Sequence, residues 1–312
     1  MEFQHKPVLF RETIEALRVR PGGDYIDGTV GGGGHSQAIL RGLEGRGRLL
    51  AIDQDPDAIE AASRRLSGFP NVEFARGNFG NMAELAEERG ISGADGILLD
   101  IGVSSHQLDD PGRGFSYHYD APLDMRMSQE GPTAADLVNS LSQGELAGII
   151  LRYGEDRSAG RIAAGICKAR EEAPIRTTVQ LAEIIKASVP AAVRRGEGHP
   201  ARKTFQALRI AVNGELDRLE EGLEGAFSLL KPQGRLAVIT FHSLEDRLVK
   251  RRMAQWCQGC TCPKDFPVCV CGKKPQGRLV YKKGVAPSPE ETAENPRARS
   301  ARLRVFERAR RE

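Results

Sequence analysis

A glycine-rich segment at residues 28–36 follows a short apolar run and precedes an amphipathic stretch. Because glycine lacks a Cβ atom, such a segment can adopt positive φ angles and leave the first N–H groups of a helix open to a carboxylate or a phosphate. The spacing departs from the G-x-G-x-x-G pattern, since Ser36 stands where the third glycine would be. The segment therefore predicts either a ligand-binding turn between a strand and a helix or a flexible connection between them.

Acidic and aromatic residues follow the next three apolar runs. Asp53 ends the second run, where a carboxylate can accept both hydroxyl hydrogens of a ribose. Phe79 comes shortly after the third run, where an aromatic ring can cover an adenine, and Asp100 ends the fourth run. These positions favour a compact adenosyl ligand, S-adenosylmethionine, over the dinucleotide of an NAD-dependent oxidoreductase, whose nicotinamide ring needs more room.

The elements that must position these residues follow from the hydrophobic pattern. Four short apolar runs, at residues 25–26, 49–52, 72–74 and 97–99, alternate with stretches of helical spacing at 56–66 and 82–90. Right-handed crossovers place such strands parallel in one sheet. Helical signals then fill about a hundred residues, including a capping-box pattern at Thr133 and Asp136 and helical periodicity over 137–151.

Strand-like runs return at residues 235–241, after a predicted helix end at 229–234, and at 302–306. The segment 263–289 is rich in proline and glycine and predicts a long loop or hairpin. The expected architecture is a doubly wound α/β fold interrupted by an all-helical insertion. We place the first part at 1–108, the insertion at 109–212 and the second part at 213–312.

The 312 residues carry a formal net charge of +3, which does not by itself indicate a polyanionic partner. The basic residues are unevenly distributed. Seven arginines lie between Arg297 and Arg311, and a second set consists of Arg247, Lys250, Arg251 and Arg252. Charge alone leaves a nucleic-acid contact and a solvated face equally open. The N-terminus lacks the order of a secretory signal, and no apolar run approaches the roughly 20 residues of a membrane helix, so we expect a cytoplasmic protein with no membrane partner.

Five of the six cysteines lie within residues 257–271, and Cys167 stands apart. They include two C-x-C pairs, Cys260 with Cys262 and Cys269 with Cys271. Four thiolates can satisfy a tetrahedral structural zinc ion. Free thiols packed in a loop are the alternative, and the usual C-x-x-C spacing occurs only between Cys257 and Cys260.

Further motifs extend from one end of the chain to the other. They are His5-x-Pro7-Val8-Leu9, Asp27-Gly28-Thr29, Gly33-Gly34-His35-Ser36, Asp100-Ile101-Gly102-Val103-Ser104-Ser105-x-Gln107-Leu108-Asp109, Arg113-Gly114-Phe115-Ser116, Pro122-Leu123-Asp124-Met125-Arg126-Met127, Tyr153-Gly154-Glu155, His199-Pro200-Ala201, Thr204-Phe205-Gln206-Ala207, Phe241-His242-Ser243-Leu244-Glu245-Asp246-Arg247 and Asn295-Pro296-Arg297-Ala298-Arg299-Ser300. Together, and in this order, they resemble the MraW (RsmH) family of bacterial small-subunit ribosomal RNA methyltransferases.

This resemblance implies a Rossmann-like class I S-adenosylmethionine-dependent methyltransferase sheet with an inserted helical domain. It implies methylation of the exocyclic N4 of a cytidine in the decoding region of 16S ribosomal RNA, on its P-site side. The small ribosomal subunit would be the partner, with no obligate protein partner. The cofactor contacts that it implies fall on Gly33, Gly34, His35, Asp53, Phe79, Asp100 and Gln107, of which Gln107 rests on the resemblance alone.

Asp100 is the best candidate for a residue at the reaction centre. Ser105, His106, His242 and Asp246 are weaker candidates, because an ordinary role in capping a strand end would explain each of them equally well. DNA enzymes that methylate N4 often carry an Asp/Ser-Pro-Pro-aromatic motif after the fourth strand, and the segment that begins at Asp100 has neither prolines nor an aromatic residue. A DNA methyltransferase for N4 or N6 and a non-catalytic ribosome-assembly factor that binds RNA remain the alternatives.

The insertion and the basic C-terminal segment are the predicted RNA contacts. Arg297, Arg299, Arg302 and Arg304 would bind phosphates. The alternation of Arg302 and Arg304 is equally typical of the exposed face of an edge strand.

Overall fold

The computed structural model describes residues 7–196, 198–263 and 268–310, so His5 and Arg311 lie outside the described residues. The chain divides into two compact units. The first, Met1–Gly102 with Leu216–Glu312, is called the sheet unit, and the second, Val103–Glu215, is called the helical unit. The helical unit begins six residues before the predicted insertion and ends three residues after it, because Val103 and Leu108 pack on its core and Asn213 donates a hydrogen bond to the Met125 carbonyl (2.8 Å).

The sheet unit is built on seven strands. Their bounds are β1 (Asp24–Asp27), β2 (Arg48–Asp53), β3 (Val72–Arg76), β4 (Ala94–Asp100), β5 (Leu230–Thr240), β6 (Gly277–Leu279) and β7 (Arg302–Arg308). The strand order is β3-β2-β1-β4-β5-β7-β6. The first five strands are parallel, while β7 is antiparallel to both β5 and β6. Strand β7 is therefore not an edge strand, and the edge-strand interpretation of Arg302 and Arg304 is wrong.

Apolar side chains pack on both faces of this sheet. Ile97 and Leu99 of β4 belong to one core cluster, and Leu98 between them belongs to a second. Because strand side chains alternate between faces, burial on both sides makes the strands continuous apolar runs. This explains why β2 and β4 are continuous apolar runs in the sequence, whereas β3 has only one fully buried residue.

Four helices accompany the N-terminal strands. They are α1 (Phe10–Leu17), α2 (Gly34–Leu43), α3 (Pro56–Arg65) and α4 (Met82–Glu87). The start of α3 is defined by Asp55, whose side chain accepts the N–H of Asp57 (3.1 Å), and by Pro56 at the first helical position. The predicted helices at 56–66 and 82–90 are thus present, the second ending earlier than expected.

The helical unit contains seven helices within its described residues. They are α5 (Ser105–Asp109), α6 (Ala134–Ser140), α7 (Gln143–Gly154), α8 (Ala159–Glu172), α9 (Thr178–Ser188), α10 (Ala191–Arg194) and α11 (Arg202–Asn213). The capping box of Thr133 and Asp136 is present. The helical periodicity over 137–151 corresponds to two helices, because Ser142 forms a second capping box with Glu145 and starts a new helix there.

Three helices complete the chain: α12 (Glu215–Leu229), α13 (Ser243–Trp256) and α14 (Pro289–Glu294). Strand β5 begins directly after α12, earlier than predicted, because a register shift between Ala94 and Gly96 of β4 accommodates extra residues around Gln233 (φ 66°). Among the described residues, no helix is both long and apolar enough to cross a membrane.

Candidate cofactor site and reaction centre

Three carboxylates lie at the carboxyl ends of neighbouring parallel strands. Asp27 ends β1, Asp53 ends β2 and Asp100 ends β4. The strand order reverses between β1 and β4, and ligands of open α/β sheets bind at such a switch point. The fold therefore brings together Asp53 and Asp100, the two strand-end carboxylates that were predicted from the sequence.

The glycine-rich turn connects β1 to α2 and leaves the first N–H groups of α2 without intrahelical partners. Its first helical bond runs from the Gln37 N–H to the Gly33 carbonyl (2.9 Å). Gly33 has a φ of 77° and no side chain to cap the helix, and a Cβ atom at Gly34 would overlap Pro7. The two glycines are thus required by the backbone conformation and by close packing, and they also leave the helix N-terminus open to an anion.

Ser36 explains the departure from the G-x-G-x-x-G pattern. Its hydroxyl donates a hydrogen bond of 2.7 Å to Oδ2 of Asp27, and both side chains are buried. Burial raises the pKa of Asp27 to about 6. Asp27 therefore holds the turn in place through Ser36. It was not predicted as a site residue, although its position in the Asp27-Gly28-Thr29 motif could have indicated it.

Asp53 links the end of β2 to the turn. Its Oδ2 accepts the N–H of Gly31 (2.9 Å) and its Oδ1 accepts the N–H of Asp55 (2.9 Å). Burial raises the pKa of Asp53 to about 6. Each carboxylate oxygen has a second lone pair, so both can still accept a ligand hydroxyl.

Asp100 has one carboxylate oxygen, Oδ1, that is buried without a hydrogen-bond partner among the described residues. The backbone of Asp100 is fixed, because its N–H donates to Oγ1 of Thr29 (2.6 Å). Burial, followed by the negative charges of Asp27 and Glu245, raises the pKa of Asp100 to about 8. About a quarter of the side chain (24%) remains accessible. An unpartnered buried acceptor at an accessible strand end is the strongest indication of a ligand in the sheet unit.

His35 lies on the same side of the turn as Asp100. Its Nδ1 is 3.7 Å from Oδ2 of Asp100, and its ring stacks on Phe10 with centroids 5.8 Å apart. Burial lowers the pKa of His35 to about 4, so the imidazole is neutral at physiological pH. The pair is therefore not an ion pair, and the distance is too long for a hydrogen bond.

Phe79 begins a short 3₁₀ segment after β3 and packs on the first core cluster. A Cβ atom at Gly222 of α12 would lie 2.5 Å from Phe79 Cδ2, so the small residue makes room for the ring. The end of β2 lies beside this segment, because Asn78 donates a hydrogen bond to the side chain of Gln54 (2.8 Å), which directly follows β2. Phe79 is thus half-buried beside the end of β2, as an adenine-covering role requires.

Gln107 and two of the weaker candidates belong to the helical unit. The Gln107 side chain accepts the N–H of Ser104 (3.0 Å) and Ser104 accepts the N–H of Gln107 (3.1 Å), so the two form a capping box at the start of α5. Ser105 and His106 lie in the first turn of that helix. The capping box explains the position of Gln107, while its contact with a cofactor remains a prediction; Ser105 and His106 do not form the cap.

The other weaker candidates have structural partners in the sheet unit. His242 caps α13 in a capping box with the fully buried Glu245, whose Oε1 lies 2.9 Å from Nε2 of His242. Asp246 holds Arg304 through two bonds of 2.7 and 2.9 Å. Glu245 was not predicted as a site residue. A glutamate three residues after a helix-capping residue is typical of a capping box and could have indicated it. Its charge contributes to the raised pKa of Asp100.

The predicted phosphate-binding arginines divide into two groups. Arg297 and Arg299 are exposed on the 3₁₀ segment Pro296–Ser300. Arg304 is largely buried and paired with Asp246, and Arg302 is half-buried on β7. Arg304 is therefore less accessible to a phosphate than Arg297 and Arg299, because Asp246 holds its guanidinium, and its phosphate contact stays a prediction.

The raised pKa of Asp100 predicts a distinctive pH dependence of stability. Because the folded protein binds this proton more tightly than the unfolded chain does, the free energy of unfolding falls as pH rises from about 4 to about 8. Asp27 and Asp53 contribute in the same sense only up to about pH 6. We expect the free energy of unfolding of Asp100→Asn not to fall between pH 6 and pH 8. Over that interval the variant should therefore gain about 1–2 kcal/mol of stability relative to the wild type. Urea unfolding at both pH values measures this, and an unchanged pH dependence would contradict it.

The sheet order, with β7 antiparallel, and the switch-point site define the fold of the class I S-adenosylmethionine-dependent methyltransferases. Comparison with known proteins is more specific. The sequence pattern of the MraW methylase family matches residues 2–309, and the chain belongs to that family.

Similar proteins extend over nearly the whole chain. "Ribosomal RNA small subunit methyltransferase H" of Symbiobacterium thermophilum is 59% identical over 307 residues, which cover 98% of this chain and 96% of that protein. The proteins of the same name from Lachnospira eligens (56% identical, 99% of this chain, 98% of that protein) and Heliobacterium modesticaldum (54% identical, 99% and 100%) are similar over their full lengths as well.

Proposed function

We propose that this methyltransferase transfers a methyl group from S-adenosylmethionine to the exocyclic N4 of a cytidine in the decoding region of 16S ribosomal RNA, on its P-site side. The names of the similar proteins support ribosomal RNA of the small subunit as the substrate. The family resemblance supports the N4 position. The observation that best supports methyl transfer at this site is the buried Oδ1 of Asp100, which has no hydrogen-bond partner among the described residues and lies at the switch point.

The residues of the site fit the proposed cofactor. Gly33, Gly34 and His35 form a helix N-terminus suited to a carboxylate, and Asp53 offers two oxygens to the ribose hydroxyls. Phe79 would cover the adenine, while Asp100 and Gln107 complete the proposed contacts. S-adenosylmethionine supplies an activated methyl group.

The exocyclic amine of cytosine is a poor nucleophile because its lone pair is delocalised into the ring. The protein must therefore hold the nitrogen in line with the methyl group and accept positive charge as it develops. Burial raises the pKa of Asp100 to about 8, so without a bound cation its carboxyl is mostly protonated at neutral pH. We assign to Asp100 the hydrogen bond from the amino group. A cation bound nearby lowers a carboxyl pKa, so Asp100 would ionise beside it.

The exposed arginines of the C-terminal segment are the proposed phosphate contacts. We expect Arg297→Ala combined with Arg299→Ala to weaken binding to small subunits and to reduce the slope of log affinity against log salt by about 1.5, because each lost phosphate contact releases one counterion fewer. Filter binding across a salt series measures this slope. Arg46→Ala with Arg64→Ala, which removes two exposed arginines paired with neighbouring glutamates, is the matched control. An equal change in both variants would contradict the assignment.

The experiment that tests the proposed function supplies labelled S-adenosylmethionine and three acceptors. These are small subunits from cells that lack the enzyme, naked 16S RNA and double-stranded DNA. Label in the RNA of either of the first two supports the proposal. Label confined to DNA would indicate a DNA methyltransferase. Binding of cofactor and RNA without transfer would indicate a non-catalytic assembly factor, and either result would overturn the proposal.

A further inference from the structure

The two ends of the cysteine-rich segment are held close together on the sheet unit. Helix α13 ends at Trp256, which is buried and stacks on Phe227 with ring centroids 4.6 Å apart. The N–H of Gln276 donates to the Trp256 carbonyl (2.8 Å), and the Gln276 carbonyl accepts the N–H of Ala309 (2.9 Å). Both ends of the segment 257–275, the cysteine loop, are therefore fixed.

The described part of the cysteine loop has little apolar packing of its own. Its valines, Val268 and Val270, are 70% and 75% exposed. Cys257 is the exception, since it packs on the first core cluster at the base of the loop. A short segment without a hydrophobic core needs another source of free energy to offset the conformational entropy lost on ordering, and cross-links or metal ions are the usual sources.

Four thiols converge within the loop. The Sγ atoms of Cys260, Cys262, Cys269 and Cys271 all lie within 4.8 Å of one another, and all four cysteines are free of disulfides. The Sγ atom of Cys271 is 3.7 Å from that of Cys260 and 3.7 Å from that of Cys269. A zinc ion with four Zn–S bonds of about 2.3 Å in a tetrahedron separates its sulfurs by about 3.8 Å. The two separations of 3.7 Å match that edge, and they are far longer than an S–S bond.

Backbone N–H groups around these thiols form hydrogen bonds to the sulfur atoms, as they do around thiolate metal ligands. The N–H of Cys262 donates to Sγ of Cys260 (3.4 Å), and the backbone of Thr261 and Lys273 hydrogen-bonds to Cys271. Gly272, with a φ of 60°, turns the chain away directly after Cys271. Gly259 lets the two arms of the loop approach, because a Cβ atom there would lie 3.2 Å from Cδ of Pro275. Hydrogen bonds to the sulfurs orient the ligands of a metal site.

We infer that Cys260, Cys262, Cys269 and Cys271 bind one structural Zn²⁺ ion. Binding converts four thiols to thiolates, forms four Zn–S bonds and releases four protons. Four protein ligands leave no open coordination position, so the ion has no part in methyl transfer. Its role is to hold the two arms of the cysteine loop together.

The test is the metal content of the whole protein purified without a histidine tag. We expect one zinc per chain, and we expect Co²⁺ exchanged into the protein to show the strong visible absorption of tetrahedral thiolate coordination. Cys269→Ser combined with Cys271→Ser should lose the zinc, whereas Cys257→Ser, which removes a thiol outside the four, should retain it. Binding of S-adenosylmethionine by the double variant shows that the sheet unit is still folded.

A second measurement does not depend on these substitutions. Chelation of the metal should increase tryptic cleavage after Lys273, while the remainder of the chain stays resistant; Lys274 is followed by Pro275 and is not a tryptic site. Absence of zinc from protein prepared under reducing conditions, stoichiometric iron in its place, or a disulfide among the four cysteines in the protein as isolated would overturn the inference.

Discussion

Asp100→Asn is expected to reduce methyl transfer to small subunits by about 10²–10⁴-fold. The substitution keeps the size of the side chain but replaces one acceptor oxygen with a donor, which cannot accept a hydrogen bond from the cytosine amino group. The rate should be measured at saturating S-adenosylmethionine, because Asp100 is also a proposed cofactor contact. The loss should then appear in kcat rather than in KM.

The matched control for Asp100→Asn is Glu60→Gln on α3. Its carboxylate side chain is 68% exposed and pairs with Arg64, and an exposed pair contributes little to stability. This variant should retain wild-type turnover. A turnover of Asp100→Asn within a few-fold of the wild type would remove Asp100 from the reaction centre.

Asp53→Asn is expected to raise the Kd for S-adenosylmethionine by about 10–100-fold, which corresponds to about 1.4–2.7 kcal/mol. The loss arises because an amide retains one acceptor oxygen, whereas Asp53 is proposed to hold the ribose hydroxyls while both oxygens also bind backbone N–H groups. Isothermal titration calorimetry measures the affinity directly.

Asp55→Asn provides the comparison for Asp53→Asn. Asp55 lies two residues further on and accepts the N–H of Asp57 as the cap of α3. Asparagine caps a helix about as well as aspartate, so the affinity of this variant should be unchanged. Equal losses in the two variants would mean that the turn, and not the ribose contact, is being disturbed.

The strand ends of the site were predictable because of how parallel sheets are built. Strands β2 and β4 are buried on both faces, so each is an uninterrupted apolar run whose last residue is easily located. Parallel strands present these ends at one edge, so the sequence alone predicts that Asp53 and Asp100 lie close together. The start of β5 was not predictable in the same way, because it depends on a register shift opposite β4.

The contacts that tune the site could not be predicted from the sequence, although Asp27 and Glu245 stand in recognisable motifs. Asp27 and Ser36 are nine residues apart and bond only because α2 packs back over β1. Glu245 is remote in sequence from Asp100, and its influence on the pKa of Asp100 exists only in the folded sheet unit. Arg304 followed a pattern typical of a solvated strand face, but Asp246 of α13 holds its guanidinium. Tertiary partners of charged residues leave no local periodicity to detect.

The most direct test of the proposed function identifies the methylated nucleoside. Small subunits from cells that lack the enzyme are incubated with the protein and isotope-labelled S-adenosylmethionine, and the 16S RNA is digested and separated by mass spectrometry. We expect N4-methylcytidine as the labelled product, at one position in the decoding region, and we expect it to be absent when Asp100→Asn replaces the wild type. Label on a carbon of the base, on a ribose hydroxyl or on a nucleoside other than cytidine would contradict it.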